Sequence, residues 1–295
     1  MENNYFISCE STVDIEYSYF EKRNIPVIFY HYVLDGEEFE DNMSRDKKSL
    51  DEFYEKIEKN ILPSTSQINE YSYYEFFKNN IKDGKVLIHI AFGSGMTPSV
   101  NNAVLAAKKI NDEENGERVR VIDSKCSCVG YGLLVVKAYE YSESGKTLDE
   151  TLDLINDLST RIHHQFFSTE MKFFKRSGRV SGPVATIATI LGICPIMRLN
   201  NDGKIVAYDK VRGKKKAIER TLDEMKAHAQ NGADYNDLCY ICNSKCYEDA
   251  LVLKNEIEKN FKKLKGKVVI YDIGNIVASH CGPGTVAVFF IGDER

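Results

Sequence analysis

The chain contains no apolar stretch approaching the roughly 18 uncharged residues that a membrane span needs, and no excess of basic charge. Its net charge of -5 argues against nucleic acid as the main partner, because such proteins need surplus Lys and Arg to displace counterions. The opening Met1-Glu2-Asn3-Asn4-Tyr5 lacks the basic segment and apolar core of an export signal, so a cytoplasmic location is expected. Repeats and low-complexity tracts are also missing. Eight cysteines in 295 residues show no dense, regular spacing, and reduced thiols are expected. Cys239-x2-Cys242-x3-Cys246 could supply three metal ligands, but no companion pair offers a fourth. These cysteines flank a strand-like apolar run, where free Cys behaves as a small hydrophobe. No metal and no cofactor are expected.

What is present is an ordinary globular composition, 43% apolar with mixed charges, long enough for two domains. The first part alternates strand and helix signals. A short apolar start at Phe6-Ile7-Ser8 is followed by a helical Ile15 to Arg23, a strand over Ile25 to Val33 and a turn at Asp35-Gly36. Helical spacing covers Ser49 to Leu62 and Ile68 to Ile81. Lys85 to Phe92 and Val119 to Asp123 read as strands buried on both faces, each followed by a helix. This repetition predicts a parallel-sheet α/β/α, Rossmann-like domain.

After Gly145 the pattern changes. A long helix is predicted over Leu148 to Phe167, carrying His163-His164 as surface or packing residues. A buried helix is predicted over Val184 to Gly192, and a hairpin turning at Asn201-Asp202-Gly203. Strands at Leu238 to Cys242, Val268 to Tyr271 and Thr285 to Ile291 alternate with helices at Lys214 to Ala229 and Tyr247 to Phe261. An α+β domain with a largely antiparallel sheet is expected, dividing the chain into 1–165 and 166–295.

Two loops could carry chemistry. Gly93-Ser94-Gly95-Met96-Thr97-Pro98-Ser99 joins a buried strand to a helix, where open α/β sheets bind ligands and helix amides favour anions. It is neither a dinucleotide fingerprint nor a Walker loop, since Pro98 replaces the third Gly and no Lys follows. It is not a nucleophile elbow either. His280-Cys281-Gly282-Pro283-Gly284, read as following a strand, holds an imidazole on a rigid turn where it can donate to a carboxylate; a His capping a tight turn is the plainer reading. The runs Lys175 to Arg179 and Arg212 to Lys216 are either solvated faces or a docking patch.

Taken in order, these segments resemble the DegV family along essentially the whole chain. Cys9 to Ile15 stands where that family has Thr-Asp-Ser-Thr-x-Asp-Leu. Gly36 to Asp41, Thr65-Ser66-Gln67, Gly93 to Ser99 and Asp123-Ser124 follow in the family's order. The strongest matches are Phe174 to Ser181, Leu191 to Ile196 and His280 to Gly284. The resemblance implies a long-chain fatty acid enclosed between two domains, its carboxylate presented to a separate bacterial fatty acid kinase. It implies head-group contacts from Thr65, Ser94 and His280, with Thr97 beside them. Arg179 and Arg212 would lie by the pocket mouth, facing the kinase or its nucleotide. A binding subunit of this kind needs no catalysis of its own, because phosphoryl transfer depends mostly on positioning and charge. The chain departs from the family at Gly93, at Pro98 and at the opening Thr-Asp, where Cys9-Glu10 stands. The competing reading is a phosphate- or nucleotide-using transferase built on the Ser94 loop, with His280 as base.

Overall fold

A computed structural model describes residues 4–180 and 192–295. Four parallel strands form the first sheet: β1 (Tyr5–Glu10), β2 (Val27–Ile28), β6 (Val86–Ala91) and β7 (Val119–Asp123), in the order β2-β1-β6-β7. β6 shows why the sheet is central. Leu87, Ile88, Ile90 and Ala91 are all fully buried, as a parallel strand covered on both faces requires. A small antiparallel sheet joins β3 (His31–Leu34), β4 (Glu37–Glu40) and β5 (Ser64–Thr65). The expected single strand over Ile25 to Val33 is therefore two strands in two sheets. β2 pairs parallel with β1, and β3 turns away to pair antiparallel with β4 and β5.

The second sheet holds β8 (Ile162–Ser168), β9 (Ile193–Leu199), β10 (Ile205–Arg212), β11 (Cys239–Asn243), β12 (Val269–Asp272) and β13 (Thr285–Ile291). Its order is β10-β9-β8-β13-β11-β12, antiparallel except for the β11–β12 pair. The hairpin expected at Asn201-Asp202-Gly203 is the β9–β10 connection. The protein is thus a mixed α/β fold, parallel in its N-terminal sheet and mostly antiparallel in its C-terminal one.

Ten α-helices are seen among the described residues. α1 (Tyr17–Glu21), α2 (Lys47–Glu58), α3 (Glu70–Asn80), α4 (Ser99–Glu113) and α5 (Cys128–Glu143) accompany the first two sheets. α6 (Leu148–Arg161), α7 (Lys172–Ser177), α8 (Lys214–His228), α9 (Tyr247–Asn260) and α10 (Asn275–Cys281) follow. α5 is apolar on nearly all sides, as a helix enclosed by protein must be, and it packs against β1, β8, β11 and β13. A Cβ at Gly130 would fall 2.4 Å from the His164 ring, so the missing side chain lets α5 press onto the second sheet.

Two sequence expectations are corrected here. The long helix predicted over Leu148 to Phe167 ends at Arg161. It starts at a capping box in which Thr147 and Glu150 satisfy each other's backbone amides. The chain then becomes β8, paired on one side with β13 and on the other with β9. His163 and His164 therefore sit side by side in a central strand and point to opposite faces. His280, expected at a strand end, lies in the last turn of α10. Of the helix expected over Val184 to Gly192, residues 184–191 lie outside the described residues.

Candidate functional site

The carboxyl ends of the parallel strands face the second sheet across a cavity of about 270 Å³, close to the lower end of small-molecule sites. Period-two alternation supplies much of its wall. His164 and Phe166 of β8 line it, as do Thr285, Ala287 and Phe289 of β13. Phe92, Met96 and Thr97 enter from the loop after β6, and Ile276, Val277 and His280 from α10. Most of the exposed wall is apolar, and the polar groups are few.

Those polar groups are organised around one contact. Thr65 Oγ1 and His280 Nε2 stand 2.8 Å apart. Thr65 is brought there by the two-residue strand β5, whose pairing with β3 places Thr65 opposite Tyr32. His280 is aimed by the Gly-Pro-Gly turn that ends α10. Gly282 has φ +66°, and a Cβ there would lie 2.2 Å from the Phe173 ring. Only glycine permits both the left-handed backbone and the close approach.

His280 is held neutral. Burial lowers its pKa to about 4, reinforced by the guanidiniums of Arg179 and Arg176. Arg176 is fastened to the Pro63 and Ser279 carbonyls at 2.9 and 3.1 Å. Arg179 also lines the cavity. This end of the cavity thus combines the Arg179 guanidinium with a hydroxyl and a neutral imidazole, and the Arg176 charge acts on it from outside the lining, a set suited to a carboxylate or another small anion.

The residues singled out from the sequence divide accordingly. Thr65, Thr97, Arg179 and His280 line one cavity. Ser94 does not, because its hydroxyl donates to Asp123 Oδ2 at 2.6 Å and its amide to Oδ1 at 3.0 Å. Ser94 anchors the loop rather than facing the cavity. The two residues on which the transferase reading rested therefore do not share the cavity lining: His280 lines it, and the Ser94 hydroxyl is taken up by Asp123. Arg212 is exposed at the end of β10 and does not line the cavity. Cys242 does, together with Cys128 and Cys281. Cys239 is buried in β11, and the Cys246 thiol donates to the Thr285 carbonyl at 3.2 Å. Cys239, Cys242 and Cys246 are not gathered at ligand distance.

Sequence reasoning missed Glu10, which holds the cavity's rim from behind. Its carboxylate is fully buried. Oε1 accepts from the Tyr73 hydroxyl at 2.5 Å and Oε2 from the Phe92 amide at 3.0 Å. Burial and the Glu10 charge push the Tyr73 phenol well up, so it stays a proton donor. The signal was its position, an acidic residue standing where the family motif carries Asp. Arg176 was also passed over, inside a run that looked like a solvated basic face.

Fold and cavity together define a mixed α/β protein built around a pocket with an apolar interior and a cationic, hydrogen-bonding end. Comparison with known proteins gives the family. The model described as "Uncharacterised protein, DegV family" matches residues 6–293, and the chain belongs to that family. A DegV domain-containing protein of Clostridium perfringens is 28% identical over 291 residues, covering 99% of this chain and 98% of the relative. A solved DegV protein of Thermus thermophilus, reported for its fatty acid binding, superposes with a TM-score of 0.86. It is 23% identical and covers 98% of this chain and 99% of its own. A stearic acid-binding protein of Eubacterium ventriosum gives a TM-score of 0.82 at 21% identity, covering 98% of each chain.

Proposed function

We propose that the protein holds one long-chain fatty acid in this cavity, with the carboxylate at Thr65 and His280 and the acyl chain along the apolar walls. The observation that carries the reading is the Thr65–His280 pair at the polar end of an otherwise apolar cavity. Each buried methylene contributes about 0.8 kcal/mol, so a chain with ~14 of them supplies on the order of 11 kcal/mol before ordering costs. The carboxylate must meet donors at the mouth, because an unpaired buried charge is very costly. Thr97 is a third candidate contact. The fatty acids named for the Thermus thermophilus and Eubacterium ventriosum proteins support this assignment.

We further propose that the carboxylate is presented to a partner fatty acid kinase, with the exposed Arg179 and Arg212 toward the kinase or its nucleotide. The parallel sheet and the six-stranded sheet would then mark two domains, divided before β8 (Ile162–Ser168) because the expected boundary between 1–165 and 166–295 would cut that strand. Catalysis would rest with the partner. The test is mass spectrometry of small molecules released on denaturing the purified protein. A near-stoichiometric fatty acid is expected. If none is released and added fatty acids also fail to bind, the lipid reading fails.

A further inference from the structure

Away from the cavity, three ligating side chains converge. His163 of β8, His228 at the end of α8 and Asp293 near the C-terminus place one ligand atom each within 4.8 Å of the others. No other such group of three is found among the described residues. His163 Nε2 lies 3.1 Å from Asp293 Oδ1 and 3.0 Å from the Asp293 carbonyl oxygen. His228 Nδ1 lies 3.0 Å from the same Oδ1 and 3.1 Å from Oδ2. None of the three residues lines the cavity.

We propose that His163, His228 and Asp293 form a binding site for a divalent cation of the zinc class. Two imidazoles and a carboxylate are the donor set such ions prefer, whereas magnesium and calcium favour oxygen ligands. In a tetrahedral site with bonds near 2.0–2.1 Å, neighbouring donor atoms sit about 3.3 Å apart. The two nitrogens are already within a few tenths of an ångström of that separation from Oδ1. An ion would take the place of the protons the two rings now direct at one oxygen. The surroundings supply a supporting shell. The second nitrogen of His228, Nε2, is 3.5 Å from Glu224 Oε2, the outer carboxylate that orients a metal-bound imidazole. Glu224 is itself held by Arg220.

Two features work against affinity. The rings of His163 and His228 lie nearly parallel, 22° apart with centroids at 5.1 Å, so the partly exposed His228 must turn to aim its lone pair. Arg161 and Arg295 add positive charge nearby. Both are engaged elsewhere, Arg161 with Asp157 and the Gly292 carbonyl, and Arg295 with the Ser159 and Lys125 carbonyls. Solvent reaches Asp293 and can fill a fourth position. A bound ion would clip the C-terminal residues to β8 and α8.

The test is equilibrium dialysis of tag-free, chelator-treated protein against zinc chloride at pH 7.5, with magnesium chloride as control. Wild type is expected to bind one zinc equivalent and no magnesium, and its melting temperature should rise with zinc. His228→Ala and Asp293→Asn should lose the equivalent and the thermal shift. Both should still unfold cooperatively in chelator, whatever their own melting temperature, and keep the wild-type fatty acid content. Absence of a saturable equivalent in wild type, or its survival in either variant, overturns the site. Because lipid content is read separately, failure here is distinct from failure of the lipid assignment.

Discussion

The Thr65 hydroxyl and the His280 imidazole meet at 2.8 Å although 215 residues separate them. The contact joins, in the cavity wall, one group from the small sheet and one from the last helix. Each must be free to re-aim at a ligand oxygen.

In the proposed complex, His280→Ala removes a hydrogen bond to the carboxylate, worth about 1.5–3 kcal/mol. Fatty acid affinity should fall about 10- to 100-fold, while the unfolding transition persists. Thr65→Val should weaken binding less, and the double variant should fall short of the sum because the two groups are coupled. Fatty acid titration of the delipidated protein measures this. Unchanged affinity in both single variants would remove the pair from the head-group site.

Arg179→Ala should leave the bound lipid in place yet lower kinase-dependent acyl phosphate formation. The readouts are lipid content by mass spectrometry and turnover with the partner. Wild-type turnover would show that Arg179 does not face the kinase.

Acid should destabilise the ligand-free protein through His280. Its folded pKa, about 4 because of burial and two guanidiniums, lies below the unfolded value near 6.5. Between these values the unfolded chain binds more protons, so this contribution is complete above pH 6.5 and is lost as pH falls toward 4. Asp41 acts oppositely, since burial raises it to about 6 and the folded state binds the extra proton below that pH. Urea midpoints across pH 4–7 should show a shallower acid loss in His280→Gln than in wild type. Parallel curves would refute the assignment.

Gly282→Ala should cost about 1–3 kcal/mol from backbone strain alone, and more from collision with Phe173. Gly145→Ala is the control. Gly145 also has a positive φ, +78°, but a Cβ there meets nothing within 4 Å. The Gly282 variant should unfold at clearly lower urea than the Gly145 variant, and equal midpoints would contradict the packing argument.

Much of the fold was legible because its strands announce themselves locally. Val119–Asp123 and Thr285–Ile291 are dense in β-branched and aromatic residues and appear with the expected boundaries. β8 was not legible. Ile162–Ser168 carries two histidines and a glutamine, and only its pairing with β13 and β9 makes it a strand. The site divides similarly. Thr65 and His280 were found through motif order, and the cavity joins them. Ser94 looked equivalent in the sequence, but nothing local shows that Asp123 takes up its hydroxyl. Asp293 as a partner to His163 was invisible because 130 residues intervene.

On the proposed reading, the neutral state of His280 beside the charges of Arg179 and Arg176 divides capture from retention. Permanent charge at the mouth acts over several ångströms and is screened by salt, so the guanidiniums govern how often an anion arrives. The imidazole and the Thr65 hydroxyl act only on contact and govern how long it stays. Ionic strength should therefore alter the association rate of a fatty acid and leave its residence time nearly unchanged, and the loss of His280 should do the reverse.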